Sequence, residues 1–378
     1  MLLNELAHLR GATVAVGLSG GVDSSLVMAL LADAGVRPVG LTMKLYEHAD
    51  SGLAPPGTAC YGVGKQDDIA AARRLCERYG APYRVVDLSR DYEERVLNYF
   101  RTEYLAGRTP NPCVRCNLEI KFGLLLERAR QAGLCFDYFA TGHYARIEDR
   151  YGVPHLRTAL VEAKDQSYFL YRLPPDVLRS TIFPLGGMSK PDVRALAASL
   201  GIEAAHKADS QDFYGGDYGE LLGSTEPGDI VDASGRVLGR HKGLGHYTIG
   251  QRRGIGTSLG PRPMYVAALD PAQNRVVVAD DASLYAPGLD GSDAVLTDRR
   301  LDGTELRAWV RIRQNHKPAA STVLVRGGSA SVRFDEPQRA LAPGQSAVFY
   351  DQDGFVLGGC VIDRAHASGQ PGLPPATR

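Results

Sequence analysis

Over its first 200 residues the chain alternates short apolar runs with amphipathic stretches, most of which are followed closely by a glycine. A glycine just past a helix end adopts the left-handed cap conformation at little cost, so these glycines predict where the helices stop. The predicted strands are 13–18, 38–43, 83–88 and 137–140, and the predicted helices are 23–34, 66–79, 91–104 and 117–132. Such alternation indicates an α/β fold with a parallel sheet covered on both faces.

The pattern changes after about residue 205, where glycines become dense and the apolar pieces shorten. From 274 to 362, strands of alternating polarity are separated by turn pairs such as Asp302-Gly303, which is typical of a small antiparallel barrel or sandwich. We therefore predict an α/β domain over 1–205, a small glycine-rich middle domain over 206–272, a C-terminal antiparallel β-barrel over 273–366 and a disordered tail over 367–378.

Charge and cysteine content narrow the class of protein. Basic and acidic residues balance at 43 each, so an RNA site would have to come from local patches rather than from net charge. Six cysteines in 378 residues are too few for a disulfide scaffold, and residues 1–10 lack the apolar core of a signal peptide. No stretch approaches the ~18 consecutive apolar residues of a membrane span. We expect a cytoplasmic protein with no membrane partner.

The strongest local motif is Ser19-Gly20-Gly21-Val22-Asp23-Ser24-Ser25, between a predicted strand and a predicted helix. Glycines let a backbone turn tightly and bring its N–H groups onto an anion, and the helix that follows aims its positive end at the same point. Asp23 could cap that helix or hold Mg²⁺. The alternative is an ordinary serine–glycine turn, but the strand–loop–helix context favours a phosphate site. No Gly-Lys-Ser/Thr follows, so this is not a Walker loop.

The motif resembles the SGGxDS signature of the ATP pyrophosphatase (PP-loop) superfamily, whose members cleave ATP between the α and β phosphates and adenylate a substrate oxygen. The resemblance implies that the loop cradles the phosphates, that Met43 packs on the adenine and that Gly142 touches the nucleotide. The ATP-binding residues implied in this way are Gly17, Leu18, Ser19, Gly20, Gly21, Val22, Asp23, Ser24, Met43 and Gly142.

Six further stretches resemble the tRNA-specific 2-thiouridylase family of this superfamily. In chain order they lie at 106–116, 119–122, 140–144, 164–171, 247–252 and 343–348. Six matches in the family's order, within residues 10 to 362, form a specific pattern. The resemblance implies ATP-dependent 2-thiolation of the wobble uridine of tRNA, with a sulfur donor that the sequence leaves open: a cysteine desulfurase, a relay protein or sulfide.

The same resemblance implies tRNA contacts. Asn111, Pro112 and Cys113 would lie beside the target base, and the remaining contacts would be His143, Lys164, Asp165, Gln166, Arg311, Ile312 and Gln345. Other interpretations stay open, because His143 could be a core histidine, Lys164-Asp165 an exposed ion pair and Arg311 the wet face of a strand. From the residues themselves, the basic stretch formed by His241-Lys242 and Arg252-Arg253, interleaved with Tyr247, suits a surface that tracks RNA phosphates.

Two cysteines form a CxxC motif, Cys113-Val114-Arg115-Cys116. A helix N-terminus with an arginine beside it favours the reactive thiolate. Cys116 aligns with the family's nucleophilic cysteine, whereas Cys113 stands where well-studied members carry aspartate. The alternative is a buried pair or an adventitious disulfide. Tyr214 stands where the family's persulfide-carrying cysteine is expected, and a tyrosine cannot carry a persulfide.

Cys60, in a glycine-rich loop after the second strand, could replace the missing cysteine. We predict that Cys60, Cys113 and Cys116 hold three irons of a [4Fe–4S] cluster whose fourth iron stays open for sulfide, as in some other tRNA-thiolating members of the superfamily. The competing prediction is a persulfide on Cys116 resolved by Cys113. A zinc site would need a fourth ligand. The other cysteines, Cys76, Cys135 and Cys360, are predicted to be small buried hydrophobic residues.

Two rival functions remain. Another PP-loop ligase, forming an amide or argininosuccinate, would need neither the CxxC motif nor an RNA-binding barrel. A tRNA-binding homologue that has lost catalysis would fit the tyrosine at position 214, but the intact loop from Ser19 to Ser25 is against it.

Overall fold

The computed structural model describes residues 6–45, 65–207, 213–214, 221–222, 226–255 and 263–367. The described chain separates into two compact units. The first contains residues up to Val96 and the segment Cys113–Gly216, and the second contains Leu97–Pro112 and the chain from Asp217 onward.

The first unit is built on a five-stranded parallel sheet in the order β3-β2-β1-β4-β7. Its strands are β1 (Thr13–Gly17), β2 (Arg37–Lys44), β3 (Tyr83–Asp87), β4 (Tyr138–Ala140) and β7 (Thr181–Ile182), while β5 (Arg146–Arg150) and β6 (Val153–Arg157) form a separate hairpin. The chain runs from β1 toward β3 on one side and from β4 toward β7 on the other. The direction therefore reverses between β1 and β4, and the carboxyl ends of such strands are where open α/β sheets bind ligands.

Helices pack against this sheet. They are α1 (Val22–Asp33), α2 (Lys65–Arg78), α3 (Ser89–Tyr92), α5 (Pro112–Arg115), α6 (Leu125–Gln131), α7 (Pro175–Arg179) and α8 (Lys190–Ser199), and α4 (Asn98–Leu105) belongs to the second unit. Two π-helical stretches, Glu93–Leu97 and Cys116–Leu124, link neighbouring α-helical pieces. Helix α1 lies at the centre of the core, where Leu26, Met28 and Leu31 are fully buried. Truncating one such side chain to alanine typically costs about 2–5 kcal/mol.

The second unit contains two β structures. Its four-stranded sheet has the order β10-β11-β8-β9, formed by β8 (Gly228–Asp232), β9 (Val237–His241), β10 (Tyr265–Asp270) and β11 (Arg275–Ala279). Six antiparallel strands then close a barrel in the order β12-β15-β14-β13-β16-β17. They are β12 (Tyr285–Leu296), β13 (Glu305–Arg311), β14 (Ala319–Arg326), β15 (Ser329–Arg339), β16 (Ser346–Tyr350) and β17 (Val356–Ala365). Val310, Val323 and Phe349 are fully buried inside it.

These observations confirm the predicted fold class: a parallel α/β sheet, a small middle domain and a closed antiparallel barrel. The predicted bounds of the α/β elements lie within one or two residues of the observed ones except for one helix. The predicted helix 117–132 begins at Pro112 in the structure, so Cys113 and Cys116 lie within helical turns rather than before them. Proline is favoured at a first helical position because its ring presets φ and the missing N–H would have no helical partner there. The predicted tail lies outside the described residues apart from Ala367.

Candidate active site

The phosphate loop connects β1 to α1. Its first residue is fixed by β2, because Leu18 N donates to Leu41 O (2.7 Å) and Thr42 Oγ1 donates to Leu18 O (2.9 Å). Gly20 has φ +75°, and a Cβ there would lie 2.8 Å from the Cα of Asp68. Only glycine satisfies both the backbone conformation and the close approach. The loop is therefore a rigid turn held from two sides.

Helix α1 presents its positive end to this loop. Gly21 is its N-cap, and among the described residues no side chain caps it. The hydroxyl of Ser24 instead holds the loop, because it accepts from Ser19 N (3.2 Å) and donates to Gly21 O (3.2 Å). Amides left in this way at a helix N-terminus bind anions readily. The predicted phosphate residues from Gly17 to Ser24 thus lie in one strand–loop–helix turn with that geometry.

Gly142 brings the end of β4 to the same point. A Cβ on Gly142 would lie 2.8 Å from Asp23 Cβ and 2.9 Å from Ser24 N, so any larger residue would push this loop away from α1. Met43 is half-buried, one residue before the end of the neighbouring strand β2. Nucleotide contact by Gly142 and Met43 stays a prediction, and both residues lie at the carboxyl ends of strands that flank the loop.

Asp23 makes a partly buried ion pair that the sequence did not predict. Lys190 Nζ donates to both carboxylate oxygens of Asp23 (2.8 and 2.7 Å), and Tyr144 Oη donates to one of them (2.7 Å). Lys190 is only 8% exposed and lies 5.7 Å from the centre of the Tyr144 ring. A lysine ammonium is thus held at the first turn of α1, beside the phosphate loop.

A second lysine lies on the other side of the loop. Lys207 Nζ contacts the carboxylate of Asp68, and it is 3.5 Å from Gly20 O. Asp68 is largely buried and packs directly against Gly20. The loop therefore lies between two lysine–aspartate pairs, each formed by residues far apart in the sequence.

His143 follows Gly142 and joins the loop after β4 to the cysteine-bearing helix. Lys121 Nζ donates to His143 Nε2 (3.3 Å), which assigns the ring proton to Nδ1, and Nδ1 donates to Thr141 Oγ1 (2.7 Å). Burial and the nearby Lys121 ammonium hold the pKa of His143 well below its ordinary value. His143 is therefore a neutral, oriented imidazole near pH 7. Lys121 also donates to Asn117 Oδ1 (3.0 Å).

Cys113 and Cys116 are both half-buried and three residues apart, so they lie on one side of a helical stretch. The helix widens to π geometry at Cys116, a feature that is frequent at functional sites. Arg115, expected to favour the thiolate, donates to Glu119 Oε1 at 2.7 Å instead. Its charge is thus partly balanced by a carboxylate on the same helix.

The other cysteines differ in environment. Cys76 and Cys360 are fully buried in the cores of the two units, as predicted, and burial raises the pKa of Cys76 to about 11. The prediction for Cys135 is wrong, because this side chain is exposed in the turn between α6 and β4. Tyr214 is 2% exposed. Cys60 lies outside the described residues, and within them no three His, Cys, Asp or Glu side chains converge as a metal site.

The segment Lys164–Gln166 mostly supports the fold from inside. Asp165 is fully buried, and its carboxylate accepts from Ala159 N (2.9 Å) and Ser167 Oγ (2.8 Å). Gln166 Oε1 accepts from Tyr144 N at 2.9 Å, and Tyr144 is the residue that contacts Asp23. Lys164 is half-buried. The segment predicted to contact tRNA thus also orients the tyrosine at the phosphate loop.

In the second unit, Gln345 holds a chain segment. Its Nε2 donates to Thr109 O (3.2 Å) and Pro110 O (3.3 Å), and Thr109 N donates to Pro343 O (2.7 Å). The barrel therefore fixes the backbone just before Asn111 and Pro112, which are both buried. The CxxC helix starts at the end of this segment.

The remaining predicted tRNA residues divide by exposure. Arg252 and Arg253 are exposed. Arg311 is 4% exposed with its guanidinium 5.4 Å from the Tyr350 ring centre, and Ile312 is 2% exposed inside the barrel. Direct contact with tRNA stays a prediction for all four residues. Of these, the exposed Arg252 and Arg253 are the most accessible to a partner.

Five residues described here were missed in the sequence: Lys190, Tyr144, Lys121, Lys207 and Asp68. Lys190 carried a signal, because Ser189-Lys190-Pro191 starts a helix, and a cation at the positive end of a helix is unfavourable unless an anion balances it. The identity of that anion, Asp23, is set only by the tertiary fold. Tyr144 and Lys121 lay within the stretches 140–144 and 119–122, but nothing in the local sequence distinguished them from neighbouring residues.

Comparison with known proteins agrees with this architecture. Residues 12–214 match the family model described as tRNA methyl transferase HUP domain, residues 219–280 the tRNA methyl transferase PRC-barrel domain, and residues 288–362 the aminomethyltransferase beta-barrel domain. The fold and the loop together define a HUP-domain nucleotide-binding enzyme with two β domains after it. Within the described residues, no helix is long and apolar enough to cross a membrane.

Full-length relatives identify the family. The tRNA-specific 2-thiouridylase MnmA of Geobacter metallireducens is 43% identical over 377 residues, which are 97% of this chain and 100% of the relative. That of Roseiflexus sp. (strain RS-1) is 43% identical over 381 residues, covering 93% and 100%. The chain belongs to the tRNA-specific 2-thiouridylase family of tRNA-uridine sulfurtransferases, which confirms the resemblance. The solved structure of NMN synthetase from Francisella tularensis aligns over 55% of this chain and 72% of that one. Its TM-score of 0.33 and its sequence identity of 17% are both low.

Proposed function

We propose that this protein uses ATP to adenylate O2 of the wobble uridine in tRNA and then replaces that oxygen with sulfur. The observation that supports the site assignment is the hydrogen bond from Lys121 to His143. It joins the helix that carries the two thiols to the loop that approaches the phosphate site. Nucleotide activation and sulfur chemistry would thus meet at one edge of the sheet.

The nucleotide half of the site is assigned from the strand-end geometry. The triphosphate would lie on the turn from Gly17 to Ser24, with Met43 on the adenine and Gly142 against the nucleotide. Mg²⁺ prefers hard oxygen ligands, and the partly exposed Asp23 carboxylate fits that preference. A bound Mg²⁺ would supply charge neutralisation on the phosphates.

Adenylation makes the oxygen replaceable. The uracil O2 attacks the α-phosphorus, the bond to the β-phosphate oxygen breaks, and pyrophosphate leaves. O2 then belongs to an AMP group, which departs readily when a sulfur nucleophile adds to C2. The protein's contribution is positioning and charge stabilisation, for which the oriented amides of α1 and the lysines beside the loop are suited.

For the sulfur step we propose that Cys60, Cys113 and Cys116 hold a [4Fe–4S] cluster. Cys113 and Cys116 fit this role, since both are half-exposed thiols on one side of a helix, whereas the third ligand lies outside the described residues. The residue expected to be a second catalytic cysteine is the buried Tyr214. When bound, such a cluster would supply labile sulfide without a change of redox state.

A persulfide is the alternative for this step. The terminal sulfur of a Cys116 persulfide would attack C2 and expel AMP, and the Cys113 thiolate would then attack the Cys116 sulfur. That attack leaves the transferred sulfur on the base and oxidises the two cysteines to a disulfide, so each turnover would need a dithiol reductant. It also needs a persulfide donor such as a cysteine desulfurase or a relay protein.

We propose that Asn111, Pro112 and Cys113 lie beside the target base, and that His143 and Lys164 contact the tRNA from the first unit. Arg252 and Arg253 would bind backbone phosphates. Asp165, Gln166, Arg311, Ile312 and Gln345 complete the set, and their burial and hydrogen bonds favour a supporting role behind the contact surface.

Thiolation of a tRNA transcript by anaerobically purified protein tests the proposal. With ATP, Mg²⁺ and sulfide, nucleoside mass spectrometry should find 2-thiouridine at the wobble position, and Cys116→Ser should abolish it. Exposed Cys135→Ser is the matched control and should keep full activity. An activity that survives in Cys116→Ser would contradict the assignment. Repeating the assay with a cysteine desulfurase and cysteine in place of sulfide separates the two routes, since protein that is active with this donor and lacks iron supports the persulfide.

A further inference from the structure

The proposed function needs both a lysine ammonium and a Mg²⁺ ion at the place where the Lys190–Asp23 pair lies. Asp23 belongs to the phosphate loop and is the second residue of α1. Lys190 Nζ lies 2.8 and 2.7 Å from its two carboxylate oxygens. Tyr144 Oη donates a further hydrogen bond to one of these oxygens at 2.7 Å. The carboxylate that would bind Mg²⁺ is therefore already neutralised by an ammonium.

The position of Lys190 is unfavourable without that carboxylate. It is the first residue of α8, where the helix dipole repels a cation, and it is only 8% exposed, so water does little to stabilise its charge. Pairing with Asp23 offsets both costs. A group that takes the place of Asp23 beside this ammonium should likewise be an anion.

A nucleotide phosphate satisfies that condition. The loop amides that would bind it belong to the same turn of α1 as Asp23, whose carboxylate Lys190 already contacts. A Mg²⁺ ion arriving with the nucleotide would be repelled by an ammonium that shares its ligand. Both problems are solved by one exchange of partners.

We propose that Lys190 acts as a placeholder cation: it balances Asp23 in the empty site and transfers to the phosphates of the bound nucleotide, which leaves Asp23 to Mg²⁺. The inference rests on the proposed use of ATP, and it adds how the charge of the Asp23 carboxylate is balanced before the nucleotide binds. Lys190 is a positioning residue in the empty state and a phosphate ligand in the loaded one. The exchange makes metal and nucleotide bind together rather than one after the other.

Metal binding without nucleotide gives a test that needs no activity. Mn²⁺, a paramagnetic substitute for Mg²⁺, is titrated into nucleotide-free protein and followed by electron paramagnetic resonance. Wild type should bind Mn²⁺ only weakly, whereas Lys190→Met should bind it at least ~10-fold more tightly because Asp23 is released. Adding Asp23→Asn to that variant should abolish the gain. Lys44→Met, which breaks another lysine–aspartate pair at 2.6 Å, is the matched control and should behave as wild type.

Nucleotide binding gives the second arm, with α,β-methylene-ATP because it cannot be cleaved between those phosphates. Calorimetry should find its affinity, measured with Mg²⁺, lowered about 10-fold or more in Lys190→Met and largely restored in Lys190→Arg. In EDTA, Asp23→Asn should bind the analogue more tightly than wild type, since its lysine is already released. This arm serves even where Lys190→Met fails to fold.

Three results overturn the inference: tight Mn²⁺ binding by nucleotide-free wild type, equal Mn²⁺ affinity in wild type and Lys190→Met, or an analogue affinity that neither Lys190→Met nor Asp23→Asn changes. Failure of the proposed function looks different. In that case wild type does not bind the analogue at all, or it binds the analogue with the predicted exchange but leaves tRNA unthiolated.

Discussion

The phosphate loop of the first unit and the turn Pro343–Gln345 of the barrel both depend on a glycine with positive φ, +75° at Gly20 and +91° at Gly344. They differ in what their backbone groups contact. The turn uses Pro343 O on Thr109 N, and the glycine packs against the same backbone segment. In the loop, no side chain among the described residues caps the amides at the start of α1, which leaves the geometry that suits an anion. A glycine turn is thus a ligand site or a structural clamp according to the partner of its backbone, which composition alone does not reveal.

The largest effect is expected at the loop. Asp23→Ala should lower pyrophosphate release by at least ~10²-fold, because the site loses the carboxylate that balances Lys190 and is proposed to hold Mg²⁺. It should also destabilise the first unit by about 3 kcal/mol, the usual cost of leaving one member of a buried ion pair unpaired. Filter binding should find tRNA affinity nearly unchanged. An undiminished rate of pyrophosphate release would remove Asp23 from the mechanism.

Substitution in the turn Pro343–Gln345 should mainly lower the stability of the protein. Gly344→Ala puts a Cβ 2.9 Å from the backbone of Thr109 at a strained φ, and we expect a loss of about 2–4 kcal/mol. Gly328→Ala is the matched control, since its φ is +81° and nothing lies within 4 Å, so strain alone should cost about 1–2 kcal/mol. Urea unfolding followed by Trp309, the single tryptophan and a barrel residue, measures both. Equal losses would show that contact with Thr109 contributes nothing.

Local and non-local information explain which parts of this comparison the sequence could predict. The loop from Ser19 to Ser24 was predictable because strand, glycines and helix are consecutive. The clamp was not, since Gln345 meets Thr109 and Pro110 more than 230 residues earlier in the chain. Lys190 was missed for the same reason. Cys135 was misplaced because a lone cysteine before a strand carries no local sign of exposure.

A smaller effect distinguishes support from contact. Gln345→Ala removes both hydrogen bonds to the segment before Asn111, so we expect kcat for thiolation to fall about 10-fold while tRNA affinity stays within about 2-fold. Replacing Arg252 and Arg253 with alanine should do the reverse: affinity falls, and the salt dependence of binding flattens by roughly one unit per lost phosphate contact. If Gln345→Ala mainly weakens tRNA binding, the glutamine contacts RNA directly.

The smallest effect is a pH dependence in the barrel unit. Burial, followed by the nearby charge of Arg313, lowers the pKa of His316 to about 4, whereas an unfolded histidine takes up its proton near pH ~6.5. Between these values the unfolded chain binds more protons than the folded one, so stability rises with pH across this window and is lost as pH falls from about 6.5 toward 4. We expect a loss on the order of 1–2 kcal/mol, since the ring is only partly buried.

His316→Gln should flatten this dependence while retaining a polar partner for Gln338, which contacts His316 Nε2 at 3.1 Å. Urea unfolding followed by Trp309 fluorescence at pH 7, 6, 5 and 4 measures the slope in both proteins. His155→Gln is the control, since that histidine lies in the β5–β6 hairpin of the first unit, where it is half-buried and its Nδ1 contacts Val153 O at 2.9 Å. If wild type and His316→Gln lose stability in parallel, carboxylate protonation rather than this histidine sets the acid sensitivity of the barrel. A flat profile in the variant alone would make His316 the residue that ties barrel stability to pH.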